Sequence, residues 1–145
     1  MNWFVSRLAT LLLLSSLTMG APAWAADELF QGLGRQSGID RLVDTLVPLL
    51  LADVRLGNSL QDPNIDMVHF KQKLAEQFCD LSGGACKYSG KDMATIHDGL
   101  DITAAQFYAL VEDLQLAMDR EGVTPAMQNR LLARLAPMFR DVVTR

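Results

Sequence analysis

Residues 97–103 read His97-Asp98-Gly99-Leu100-Asp101-Ile102-Thr103. Met93, Ile96, His97 and Leu100 share one face of a short helical segment that runs from Lys91 to about Asp98 and stops at Gly99. The spacing therefore sets an imidazole on an apolar surface. Taken alone, such a histidine reads as a packed core or boundary residue, because neutral imidazole needs only one hydrogen-bond partner; the sharper alternative is a metal ligand. The stretch runs straight into Thr103-Ala104-Ala105-Gln106, a capping box. This box opens a helix through about Arg120, with Phe107, Leu110, Val111, Leu114 and Met118 on one face and Gly122 as its stop.

Outward from there the periodicity is helical and no stretch alternates like a strand. Thr124-Pro125, an N-cap followed by Pro at the first helical position, predicts a last helix carrying Met127, Leu131, Leu135, Met138 and Val142. Toward the N-terminus, a glycine-punctuated stretch from Gly83-Gly84 to Gly90 follows a helix capped by Asp66. Met67, Phe70, Leu74, Phe78 and Leu81 fall on one face of that helix, at spacings of 3, 4, 4 and 3. Gly57 to Ile65 reads as a loop. Before it, a helix from about Ile39 to Ala52 presents Leu42, Val43, Leu46, Val47, Leu50 and Leu51, with a kink expected at Pro48. Asp27 to Leu33 reads as a short first helix, followed by a turn holding Gly34 and Gly38. The prediction is an all-α domain with a short first helix, four longer ones and short connectors.

The chain has 145 residues, is 50% hydrophobic and 7% aromatic, and carries a formal net charge of −4. That length excludes a multi-domain enzyme, and the acidic balance excludes a polybasic nucleic-acid binder. Met1 to Ala26 reads as a secretory signal: Arg7, an apolar run from Leu8 to Leu17, and the small-x-small site Ala23-Trp24-Ala25. Cleavage near Ala25 leaves residues 26–145 as a periplasmic or secreted domain without a stable membrane anchor. The alternative is an uncleaved N-terminal anchor helix, disfavoured by the shortness of the run.

Few residues suggest chemistry. His69 points off the apolar stripe and reads as a solvent-side residue. Cys79 and Cys86 flank the Gly83-Gly84 turn, and an oxidising compartment allows them to join; otherwise they are two buried free thiols. They form no C-x-x-C or C-x-x-C-H pattern, and no zinc-ligand spacing or nucleophile elbow is present. Gly32-Leu33-Gly34 has no strand before it and reads as a turn rather than a phosphate loop.

The landmarks, taken in order, resemble a group 1 truncated haemoglobin. Leu29-Phe30-Gln31-Gly32-Leu33-Gly34 with Gly38-Ile39 is similar to that family's opening motif, and Ala52-Asp53-Val54-Arg55-Leu56 to the end of its first long helix. Ser82-Gly83-Gly84 and Tyr88-Ser89-Gly90 resemble its glycine turn and the aromatic-x-Gly after it, and residues 97–103 resemble the segment of its proximal histidine. The resemblance covers about Leu29 to Val143. It implies a two-over-two helical sandwich around haem b, with His97 as the iron ligand, its other ring nitrogen donating to a backbone carbonyl or water. Tyr88, Lys91, Met93, Ile96, Phe107 and Val111 then become candidate residues of the cofactor's wall or rim.

The chain departs from the family on the opposite side. Many members carry a distal Tyr and Gln that hydrogen-bond to a bound ligand; the matching positions are Val47, Phe70 and Leu74. Losing such a hydrogen bond is worth about 1.5 kcal/mol, roughly tenfold in affinity, which argues against avid oxygen storage. Among nearby polar residues Lys73 is best placed. Its amine either snorkels outward, toward a haem propionate, or approaches the iron as an exchangeable distal ligand. The function implied is reversible binding of a diatomic gas, O2, NO or CO, as in oxygen transport. Two rivals are an NO- or peroxide-processing haem enzyme, which needs an unidentified electron donor, and a haem-free helical interaction module in which His97 merely packs.

Overall fold

The computed structural model describes residues 24–57 and 60–145; the expected export signal lies outside them up to Ala23, the first residue of its cleavage site. The described residues are helical or irregular, with no strand among them, as the periodicity predicts. The helices are α1 (Trp24–Gly32), α2 (Arg35–Ala52), α3 (Met67–Ser82), α4 (Met93–His97), α5 (Ala104–Arg120), α6 (Pro125–Leu135) and α7 (Phe139–Val142). Two 3₁₀ turns, Val54–Leu56 and Ala136–Met138, link α2 to the following loop and α6 to α7.

The turn before α2 is tighter than expected. Gly34 at φ 82° and Arg35 at φ 57° make it, and α2 begins at Arg35 rather than near Ile39. Gly38 is a buried residue inside the helix. A Cβ there would lie 2.0 Å from the Leu33 carbonyl oxygen, so the glycine serves close backbone approach and not chain reversal. The helix continues through Pro48, which stands on its exposed side.

The inner stripe of α2 forms the centre of the core, with Ile39, Leu42, Val43, Leu46, Val47 and Leu50 all buried. It packs against both α3 and α5, and α6 in turn packs against both of those. The pairs α2/α3 and α5/α6 are the two layers of the sandwich. Leu114, Met118 and Leu131 close the core from the second layer.

Capping fixes the register of the helices around the site. The Asp66 carboxylate accepts from the amides of Val68 and His69, and α3 stops at Gly83 with φ 85°. Both reciprocal bonds of the Thr103–Gln106 capping box are made at the start of α5. The expected single last helix is broken instead. Pro137 has no N–H and crowds the carbonyl of Ala133, so α6 ends at Leu135 and the chain turns before α7. The turn brings α7 against α4, and Phe139 meets the Phe107 ring edge-on at 5.1 Å.

Candidate functional site

His97 is the last residue of α4, a helix of only five residues. The Asp92 side chain starts that helix by accepting from the Thr95 amide and hydroxyl. Within it, His97 Nδ1 lies 2.8 Å from the Met93 carbonyl oxygen, one turn back. A carbonyl can only accept, so this contact puts the proton on Nδ1. A neutral ring then keeps its lone pair on Nε2, which is the ligating form. The imidazole is half-buried, and its apolar neighbours Ile96 and Leu100 remain 40% and 47% exposed. Gly99 at φ 73° and Asp101 at φ 50° lead the chain away from α4 toward α5.

Helix α3 faces α4. Phe70 and Leu74 are half-buried on α3, whereas Val47 is sealed within the α2 core. The α3 face also holds Gln77, which the apolar spacing alone passes over. It lies three residues after Leu74 and is only 8% exposed. Its Nε2 donates to Met93 Sδ at 3.3 Å and to Met138 Sδ at 3.5 Å. Thioether sulfur is a weak acceptor, so this carboxamide is a poorly matched polar group. A glutamine at helical spacing from an apolar stripe is the signal that marks it.

Lys73 does not stand free. Its Nζ lies 2.8 Å from Glu76 Oε2 and 2.7 Å from Ser89 Oγ, and Ser89 Oγ also donates to Glu76 at 2.8 Å. The Lys73 ammonium first, and Ser89 second, lower the Glu76 carboxyl to about 2. Tyr88 belongs to the same segment. Its amide donates to Asp80 at 3.0 Å and its hydroxyl to the Lys91 carbonyl at 2.9 Å, so Lys91 contributes backbone here while its side chain is exposed. Burial raises the Tyr88 phenol above its ordinary value. Phe107 and Val111 are half-buried on α5.

Cys79, buried on α3, and the half-buried Cys86 are joined, with Cα atoms 6.0 Å apart. Among the described residues no group of three or more His, Cys, Asp or Glu is arranged to hold a metal ion. No described helix is long and apolar enough to cross a membrane.

The donor set fits a flat apolar cofactor carrying its own metal. One imidazole presents a free Nε2, its apolar neighbours are left exposed, and half-buried Phe and Leu side chains stand on the facing helix.

Comparison with known proteins bears on this arrangement. The sequence profile of the bacterial-like globin family matches residues 28–144. The chain is 29% identical over 101 residues to the group 1 truncated hemoglobin of Tetrahymena pyriformis, covering 70% of this chain and 82% of that one. It is 25% identical over 116 residues to group 1 truncated hemoglobin GlbN of Mycolicibacterium paratuberculosis, covering 80% and 84% respectively. The crystal structure of the Tetrahymena pyriformis protein in its Fe(III) form matches with a TM-score of 0.76 at 26% identity, over 81% of this chain and 98% of that one. The chain therefore belongs to the bacterial-like globin family, and its helices fold as a group 1 truncated haemoglobin.

Proposed function

We propose that this haem-binding globin holds haem b through His97 and takes up a diatomic gas reversibly, after export from the cytoplasm. The observation that carries the proposal is the His97 Nδ1 to Met93 carbonyl bond, which leaves Nε2 as the donor atom. Haem, when bound, supplies an iron centre with a position open to O2, NO or CO. The chain does the rest. Residues of α4 orient the imidazole, while Phe70 and Leu74 keep the facing wall apolar and exclude water. No C-x-x-C-H pattern exists for covalent attachment, which favours haem b. The Cys79–Cys86 bond and the apolar N-terminal run support an oxidising location outside the cytoplasm.

With Phe70 and Leu74 on the distal side and Val47 sealed in the core behind them, those positions offer a bound ligand no hydrogen bond. Oxygen then leaves readily, which suits transport or sensing better than storage. Lys73 reaches the pocket as a distal ligand only by leaving Glu76 and Ser89. Reduced, haem-reconstituted protein titrated with CO and O2 tests the proposal. Reversible spectral shifts with both gases are the expected result; no shift with either contradicts it. Ferric spectra of wild type and Lys73→Ala across pH test the lysine. A spin-state change confined to the wild type assigns it as a ligand, and identical behaviour removes that role.

A further inference from the structure

The segment from Gly84 to Asp92 joins α3 to the helix that ends in His97, and it lies along α3 like a strap. Its polar anchors are few. Asp80 accepts the Tyr88 amide and lies 3.7 Å from Lys87 Nζ, Glu76 accepts the Ser89 hydroxyl, and Lys73 Nζ donates to the same Ser89 Oγ at 2.7 Å. Both carboxylates belong to α3 and are partly solvated, so each contact is individually weak. The covalent anchor is the Cys79–Cys86 bond at the strap's start. There the chain is closely packed: a Cβ at Gly84 would lie 2.5 Å from Cys79 Sγ and 2.8 Å from the Phe30 ring of α1. The two sulfurs are unequally placed. Cys79 is buried, whereas Cys86 lines a cavity of about 380 Å³ between α2 and α3, together with Asp40, Lys71 and Glu76.

We infer that the Cys79–Cys86 bond is a redox switch on the strap: a dithiol reductant opens it at Cys86 from the cavity and loosens the hold of the His97 segment on the cofactor. The effect on the cofactor rests on the haem reading above; the effect on the strap does not. In the exchange, a reductant thiolate attacks Cys86 Sγ and the S–S bond breaks, its electron pair passing to Cys79 Sγ, which takes up a proton. The reductant's second thiol, giving up its proton, then attacks the reductant sulfur of the mixed disulfide and releases Cys86 as a thiolate, which is protonated in turn. The protein gains two electrons and two protons, and the reductant leaves as its own disulfide. The polar contacts left to hold the strap to α3 are then those of Asp80, Glu76 and Lys73.

The test compares oxidised wild type, dithiothreitol-reduced wild type and Cys86→Ser, which spares the buried Cys79. Amide hydrogen exchange is followed first, on the haem-free chain. Reduction is expected to speed exchange at Tyr88 and Ser89 by about tenfold while the α2 amides keep their rates. Cys86→Ser is expected to show the fast rate with or without reductant. Haem transfer from the loaded protein to excess apomyoglobin is followed second, and reduction is expected to speed it severalfold. Unchanged exchange on reduction overturns the inference. Faster exchange in a chain that fails to bind haem upholds the strap and refutes the haem reading. Faster exchange with unchanged haem transfer overturns the link to the cofactor.

Discussion

His97 depends on one hydrogen bond, to the carbonyl of Met93, for its tautomer and its orientation. Spacing sets this residue on an apolar face but by itself favours a packed histidine; the ligand role comes from the resemblance of residues 97–103 to a proximal-histidine segment. Gln77 was not legible in the same way: its partners, Met93 and Met138, are 16 and 61 residues distant, and a polar residue on a long helix is ordinarily solvated. A buried carboxamide with only sulfur acceptors destabilises the haem-free fold. Gln77→Leu should therefore raise the urea midpoint of the haem-free protein, by about 1 kcal/mol of stability. A loss of similar size would show that the carboxamide is well satisfied. Lys73 teaches the same lesson, because its Ser89 partner comes from another segment that no spacing rule connects to α3.

At the scale of elements, α4 is too short to be stable alone and relies on its cap. Removing the cap with Asp92→Ala should cost about 1 kcal/mol locally and speed amide exchange from Thr95 to His97. Equal exchange in the two proteins would mean that packing on α7, not the cap, holds the helix. The strap before α4 should loosen in acid. Glu76, whose ordinary value is 4.5, is lowered to about 2 in the folded chain. A lowered carboxyl stabilises the fold above its unfolded value and loses that contribution as pH falls through the folded value. Exchange at Ser89, corrected for intrinsic rates, should rise relative to α2 as pH drops from about 4.5 toward 2, and a flat ratio would contradict this. Element types and most caps were legible from periodicity and from Asp66, Thr103 and Thr124. The early start of α2 was not, because Gly38 serves helix packing where glycine ordinarily signals a turn. The break at Pro137 was missed because the apolar spacing continues through it.

At the scale of the whole molecule, the two helical layers meet at a buried carboxylate. Asp113 on α5 is 8% exposed and its Oδ2 has no partner. Burial first, and the neighbouring Asp53 carboxylate second, raise its pKa, while Arg55 lowers that of Asp53. Arg55 also bridges to Glu112, so the 3₁₀ turn Val54–Leu56 and α5 are tied by charge at this junction. A raised carboxyl contributes its stability below the unfolded value, 3.8, and loses it as pH rises through the folded value. Asp113→Asn, which cannot ionise and can donate to Asp53, should raise the melting temperature at neutral pH by a few degrees, roughly 1 kcal/mol. An unchanged or lower value would show that the ionised carboxylate is well solvated. No spacing rule reveals this pair, since Asp53 and Asp113 lie in different layers. The sandwich itself was legible from the order of landmarks between Leu29 and Val143. The central claim, that this globin holds its cofactor through His97, is tested most directly by titrating haemin into the wild type and into His97→Gly and recording the ferrous Soret spectrum with and without imidazole. The wild type should saturate at one haem per chain, and the variant should lose the five-coordinate histidine spectrum and regain it with imidazole. The same spectrum in both proteins without imidazole would contradict the account.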